Sequence, residues 1–412
     1  MREKFFKYNQ QILLFFLWLS VIGIFTTDYF RALLSIAMIG FTLVGLLSAK
    51  PKHYLKNLVN NKPLLALVIS FLVVIPSVLY SNNLKYFGLR VQILLPFLVM
   101  PFAYAQMDKI TDKNRKVIIY TFIVGVIITA IQALVFYYNN QAEVNQAYLE
   151  SRVMPTMVGH HPTFSLMCAF SIYLLYNLFK NENQNSTKYF IVFIAIFLIF
   201  FLHIFSVRAG LFSFYGLVLL VIYEQIILKK QYILSLTILA LCAAIAVFTF
   251  KYSPTVRNKL TNTQNDINNY NNGGSANDQS LGSRMISYKN AIEITQNSSW
   301  IIGCGLGDIE DLNNKIFDEK YPDITKKIIP HNQFLFYMAA IGILGMLVFV
   351  ASFYFPAISN LKNLNLLAHY LVISMAFLIE AFLTTQLGVA YTIIFILLFV
   401  SKTNTSLRSS LA

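Results

Sequence analysis

Apolar runs of roughly 18 residues or more, each long enough to cross a hydrocarbon core about 30 Å thick, alternate with short polar links along most of the chain. The pattern predicts about twelve membrane spans. They fall near Ile12 to Thr26, Ala32 to Leu47, Leu64 to Tyr80, Phe87 to Ala105, Val117 to Tyr138 and Pro162 to Phe179. Six more fall near Tyr189 to Phe205, Ala209 to Leu228, Tyr232 to Phe250, Phe334 to Ile358, Leu366 to Leu383 and Leu387 to Val400. Phe190 to Tyr223 is apolar almost throughout, and Arg208 with Gly210 in its middle predicts a tight hairpin. Only one polar segment is long, from Lys251 to His331. The expected class is therefore an all-α polytopic membrane protein. Nine spans occupy residues 1–250, one large loop with short helices 251–333, and three spans with a tail 334–412.

Composition supports this class. Of 412 residues, 57% are hydrophobic and 12% charged, too few to clothe a soluble domain of that length. The net charge of +14 raises nucleic acid as a partner, but the bases sit in links between spans and set topology instead. Basic clusters mark the N-terminus (Arg2, Lys4, Lys7), Lys50 to Lys62, Lys109 to Lys116, Lys180 with Lys188, Lys229 with Lys230, and the tail with Lys402 and Arg408. Bases at these links place them all on the cytoplasmic side. The Tyr138 to His161 loop, the Arg208 hairpin and the large loop then face outward. The run from Ile12 follows no clear small-residue cleavage site and reads as a retained first span. Cys168, Cys242 and Cys304 suggest no disulfide framework. No internal repeat is visible, which counts against transporters built from duplicated halves.

The large loop divides in two. Thr261 to Gln279 is rich in Asn, Gln, Gly and Ser and reads as a flexible stretch. Ser283 to Gln296 carries apolar residues at helical spacing, predicting a short helix capped near Ser283 and lying on the membrane surface.

Several residues around this loop can carry chemistry. Arg208, in S-V-R-A-G, offers a planar fork to phosphate oxygens; the competing reading is an arginine snorkelling to lipid headgroups. Arg284 heads the loop helix and is otherwise a solvated surface cation. His331, in P-H-N-Q-F, titrates near neutrality and suits proton transfer from a hydroxyl; the competing reading is an interfacial histidine that caps the following helix. Gly303, Gly305 and Gly307 form G-C-G-L-G, which lacks the spacing of nucleotide-binding loops and predicts a tight turn. Arg90 and Glu380 lie within apolar runs near their outer ends and are expected to pair with each other or with the site. His160 and His161 also fall on the outer side. Asp308, Glu310 and Asp311 read as a solvated acidic turn rather than a cation site. No Ser-His-Asp or Cys-His arrangement is legible.

Taken in order, these motifs resemble the O-antigen ligase and polymerase superfamily of bacterial envelope enzymes. The residues are S-V-R-A-G at Ser206 to Gly210, S-R-x-x-x-Y-x-x-A from Ser283 to Ala291, and W-x-x-G-x-G-x-G from Trp300 to Gly307. H-N-Q-F-L-F-Y with G-I-L-G from His331 to Gly345, and G-H-H-P-T at Gly159 to Thr163, complete the set. Ser298 and Ser299 depart from the pattern, since many members carry a proline there. The resemblance implies a GT-C-like fold and a metal-independent, inverting glycosyltransferase without a cofactor. It would move a glycan from an undecaprenyl pyrophosphate carrier to a hydroxyl acceptor such as lipid A–core, at the periplasmic face of the bacterial inner membrane. Carried over by position, Arg208 and Arg284 hold the pyrophosphate and His331 serves the acceptor hydroxyl, with Arg90, His161, Gly305, Asn332 and Glu380 as further binding residues. A polysaccharide polymerase and a protein O-oligosaccharyltransferase share this donor chemistry. A flippase is the reading from another class.

Overall fold

The computed structural model describes residues 2–48, 51–272 and 280–401, and among these the only regular elements are helices. In chain order they are α1 (Arg2–Phe25), α2 (Ala32–Leu47), α3 (Pro51–Val59), α4 (Lys62–Leu72), α5 (Leu84–Leu94) and α6 (Pro96–Ala105). Next come α7 (Asp112–Asn139), α8 (Gln141–Leu149), α9 (His161–Lys180), α10 (Asn185–Phe205), α11 (Arg208–Tyr223) and α12 (Tyr232–Tyr252). The polar segment holds α13 (Pro254–Asn271), α14 (Ser280–Asn297) and α15 (Ile309–Lys320). The chain closes with α16 (Gln333–Ile358), α17 (Leu364–Ile379) and α18 (Gln386–Phe399).

Each apolar run in the sequence is helical. Among the described residues nine helical segments are long and apolar enough to cross a membrane, or ten if the bent pair of α2 with Lys52–Val59 is one span. α17 and α18 are shorter apolar helices, and α17 stops at Ile379 instead of continuing to Leu383. Burial explains why α18 stays helical at 14 residues: every side chain from Leu387 to Phe399 is buried. Phe122 of α7 meets Phe395 edge-on at 4.5 Å between ring centroids, and Phe170 of α9 meets the same ring at 5.5 Å. By contrast α12 exposes Leu236, Leu239, Leu241, Val247 and Phe248, apolar surface that lipid can cover.

Hydrogen bonds sort the links into two ends. At one end Asn57 meets Gln106, Asn177 meets Asn365, and Arg115 reaches the Leu398 carbonyl. This end carries Lys52, Lys56, Lys109, Lys113, Lys180, Lys229 and Lys362, the bias expected of a cytoplasmic face. Lys50 and the tail with Lys402 and Arg408 lie outside the described residues. At the other end the links meet α13–α15, which form a roof.

That roof corrects the reading of a flexible stretch. Thr261 to Asn271 belongs to α13, which packs on α8: Asn258 and Asn262 donate to the carbonyls of Asn145 and Leu149, both at 2.8 Å. Residues 273–279 of the expected flexible segment lie outside the described residues. α14 begins at Ser280 rather than Ser283, and α15 was not apparent in the sequence.

The glycine turn has a definite task. α16 breaks at Gly342, whose φ of 68° and ψ of 178° are essentially glycine-only. A break strips helix groups of their partners, and none can be left bare at this depth. The turn replaces them: Cys304 N donates to Ala339 O and Gly305 N to Ala340 O, while Ile343 N donates to Trp300 O. The turn is in turn fixed to the link before α5, where Asp308 accepts hydrogen bonds from the backbone of Asn82 and Asn83. Asp308 is thus a buried clamp, not part of a solvated acidic turn.

A Cβ added at Gly342 would lie 2.1 Å from the Ile301 carbonyl oxygen. Gly342→Ala should therefore cost about 3 kcal/mol from backbone strain before the clash is counted. Thermal unfolding in detergent measures it; an unchanged midpoint would show that the break is not required.

Candidate active site

The site is assembled where the roof meets the near ends of α9, α11, α16 and α17. α10 ends on Ser206 in the left-handed region (φ 48°), Val207 is extended, and α11 starts at Arg208. The hairpin expected from S-V-R-A-G is therefore present, and it sets Arg208 at a helix start under the roof. Its Nη2 donates to Thr263 Oγ1 of α13 at 2.6 Å, and that hydroxyl donates to the Lys259 carbonyl at 2.7 Å. Lys259, Thr263 and Asp266 follow i, i+4, i+7 spacing and so share one face of α13. Asp266 is buried and accepts from Leu281 N at 3.2 Å, capping the start of α14.

One turn along α14 stands Arg284. It lies within Coulombic reach of Arg208, Lys259, His331, Tyr288 and Glu380. Ser287, fully buried, joins this helix to the histidine: its Oγ donates to Arg284 O at 2.8 Å and accepts from His331 N at 3.1 Å. His331 Nδ1 is buried and has no hydrogen-bond partner among the described residues. Burial, and then the Arg284 cation, pushes His331 down to about 4, so the ring is neutral at ordinary pH. Burial and the Arg208 cation lower Lys259 to about 8, while burial raises Asp266. Tyr288 is raised by burial, and its hydroxyl donates to Leu378 O at 3.2 Å.

Beside this group, His160 Nε2 lies 3.6 Å from Glu380 Oε2, and His160 Nδ1 lies 2.7 Å from Thr163 Oγ1. His161 stands next to it, within Coulombic reach of Lys259 and Asp28, with Nδ1 buried and unbonded among the described residues. The arrangement thus gathers Arg208, Arg284, His331, His161 and Glu380.

Three expected site residues are occupied otherwise. Arg90 does not pair with Glu380: it donates to Thr384 O at 2.9 Å and to the Tyr86 hydroxyl, with its guanidinium 4.4 Å from that ring centroid. Gly305 (φ 98°) approaches Ser81 and Ala340 at the helix break, not the cations. Asn332 caps α16 through Phe334 N and Leu335 N and donates to Leu378 O. Lys259, Thr263, Asp266, Ser287 and Tyr288 were not singled out from the sequence. Tyr288 stands in the S-R-x-x-x-Y motif, and the spacing of the other α13 residues was visible had the stretch been read as helix. Among the described residues no three His, Cys, Asp or Glu side chains are grouped to hold a metal ion.

Residues 190–350 match the family model described as O-antigen ligase. This segment, less than half of the chain, is similar to an O-antigen ligase domain. The O-antigen ligase match runs from α10 into α16 and contains Arg208, Lys259, Arg284 and His331; His160, His161 and Glu380 lie outside it. The likeness of this segment to that family points to glycosyltransferase-type activity, and the long apolar helices to a multi-pass membrane protein. No curated protein matches the chain.

Ser287→Ala should leave His331 N without its partner and cost about 1–3 kcal/mol, the penalty of an unmet buried group. Thermal unfolding measures this loss, and a midpoint equal to wild type would remove Ser287 as the joint between α14 and His331.

Proposed function

We propose that the protein moves a glycan from undecaprenyl pyrophosphate to a hydroxyl of lipid A–core, at the periplasmic face of the bacterial inner membrane. The observation that carries this reading is the convergence of Arg208 and Arg284 beside a neutral His331. Two guanidinium groups suit the diphosphate of the donor, since each offers a planar pair of N–H donors. Cations aimed at the oxygens that gain charge as the glycosyl bond breaks lower the barrier without a metal ion.

The chemistry follows from that placement. The acceptor oxygen attacks the anomeric carbon on the face opposite the diphosphate, so the configuration inverts. The bond from that carbon to the phosphate oxygen breaks, and its electron pair leaves with undecaprenyl pyrophosphate. The acceptor proton passes to the His331 imidazole, which is unprotonated and has a ring nitrogen free for it. Glu380 and His160 flank this position and supply polar contacts to the acceptor sugar. The carrier's hydrocarbon chain stays in the bilayer while its head reaches under the roof. Clustering of the charges at one end of the bundle favours transfer over transport, which needs a path through both leaflets.

With purified protein and a carrier-linked glycan, Arg208→Ala, Arg284→Ala or His331→Ala should each lower the transfer rate about 100- to 1,000-fold, with insertion unchanged. Full activity in all three would overturn the assignment. Offering lipid A–core, growing polymer and protein side by side reads out the acceptor; transfer only to polymer or protein would replace lipid A–core. The pH dependence is a separate check. A base active when neutral loses activity as pH falls through its pKa, so the acid limb of kcat should lie near about 4. A limb near the ordinary histidine value of about 6.5 would count against His331 as the base.

A further inference from the structure

We propose that Lys259 is a third cationic ligand of the donor, placed by α13 to take the second phosphate and so to distinguish a diphosphate lipid from a monophosphate one. This inference rests on the donor reading given above. Its basis is the geometry of the α13 face. Thr263, one turn after Lys259, holds Arg208 through the 2.6 Å hydrogen bond, so the lysine stands beside the guanidinium by helical spacing alone. Arg208 from α11, Arg284 from α14, His161 from α9 and Asp266 from α13 are the charged and titratable groups that act on it. Three of these are cations or can become so. The single acid, Asp266, already accepts from Leu281 N at the start of α14.

Lys259 takes part in no salt bridge among the described residues, although most of its surface is covered. A largely buried ammonium acted on by two guanidiniums and one carboxylate is left short of negative charge, and an anion of one phosphate would already be engaged by the arginine forks. A second phosphate gives the ammonium its partner. The lysine suits the role because its compact head offers three donors without demanding the planar approach that the arginines use. Binding should also shift its proton balance: burial and the neighbouring cations hold the free lysine near 8, and a diphosphate raises that value.

The test compares two probes, undecaprenyl pyrophosphate and undecaprenyl phosphate, each without glycan, on the full chain in lipid nanodiscs. Lys259→Met keeps the stem and removes the charge. It should weaken the diphosphate lipid about 10- to 100-fold, the scale of charge-assisted hydrogen bonds, and the monophosphate lipid by less than about threefold. Lys259→Arg should restore most of the diphosphate affinity. At about pH 8.5, calorimetry in buffers of different ionisation enthalpy should show proton uptake when wild type binds the diphosphate, and none with Lys259→Met. Equal weakening of both lipids by Lys259→Met, or wild-type diphosphate affinity, would overturn the proposal. Failure of wild type to bind the diphosphate lipid at all would instead remove the donor reading, and this inference with it.

Discussion

Like charges kept together at the edge of a membrane without a matching set of acids are the constraint around which this protein is built. Arg208, Arg284 and Lys259 act on one another at short range, and Asp266 is the one carboxylate among the charges that act on Lys259. Desolvation makes such a group costly, and mutual repulsion adds to the cost. The fold holds it by committing each neighbour elsewhere: Thr263 to Arg208, Asp266 to the start of α14, Ser287 to both Arg284 and His331. The charge pattern that results is complementary to an anion.

Such a group stays in place only if its supports are rigid, and the supports come from a defect. α16 is broken at Gly342, and its stranded backbone groups are met by the turn from Trp300 to Gly305. The same turn is clamped to the link before α5 by Asp308. One broken helix therefore ties the roof to the bundle at its outer end, with His331 and Asn332 at the start of that same helix. The glycines that read as a tight turn in the sequence serve this closure. Their small size is needed by backbone meeting backbone, since a Cβ at Gly303 would lie 2.6 Å from the Ala339 oxygen.

Much of the bundle was legible in the sequence because lipid imposes a simple rule: each span must satisfy its backbone internally and present apolar side chains. The hairpin at Arg208 was legible for the same reason, as a charge and a glycine interrupting an apolar run. Length misled at α17, where Glu380 ends the helix in extended backbone before the apolar run ends. The roof was harder. α13 is rich in Asn and Thr, residues that disfavour helix interiors when judged alone, and its stability comes from Asn258 and Asn262 bonding to α8. Tertiary partners more than a hundred residues away cannot be read from local composition. Lys259 and Asp266 were lost with that helix, whereas Arg208, Arg284 and His331 stood in motifs visible without it.

The pairing of His160 with Glu380 shows how the matched domain and the rest of the chain share one site. Arg208, Arg284 and His331 all fall within residues 190–350, but His160 begins α9 and Glu380 ends α17, on either side of that region. The cations inside the matched region act on one another and on His331. The flanking pair is coupled to these groups: Glu380 acts with Arg284, and His160 with His331. Residues 190–350 alone therefore do not make up the candidate site, because the groups that set its charge balance come from both sides of that boundary.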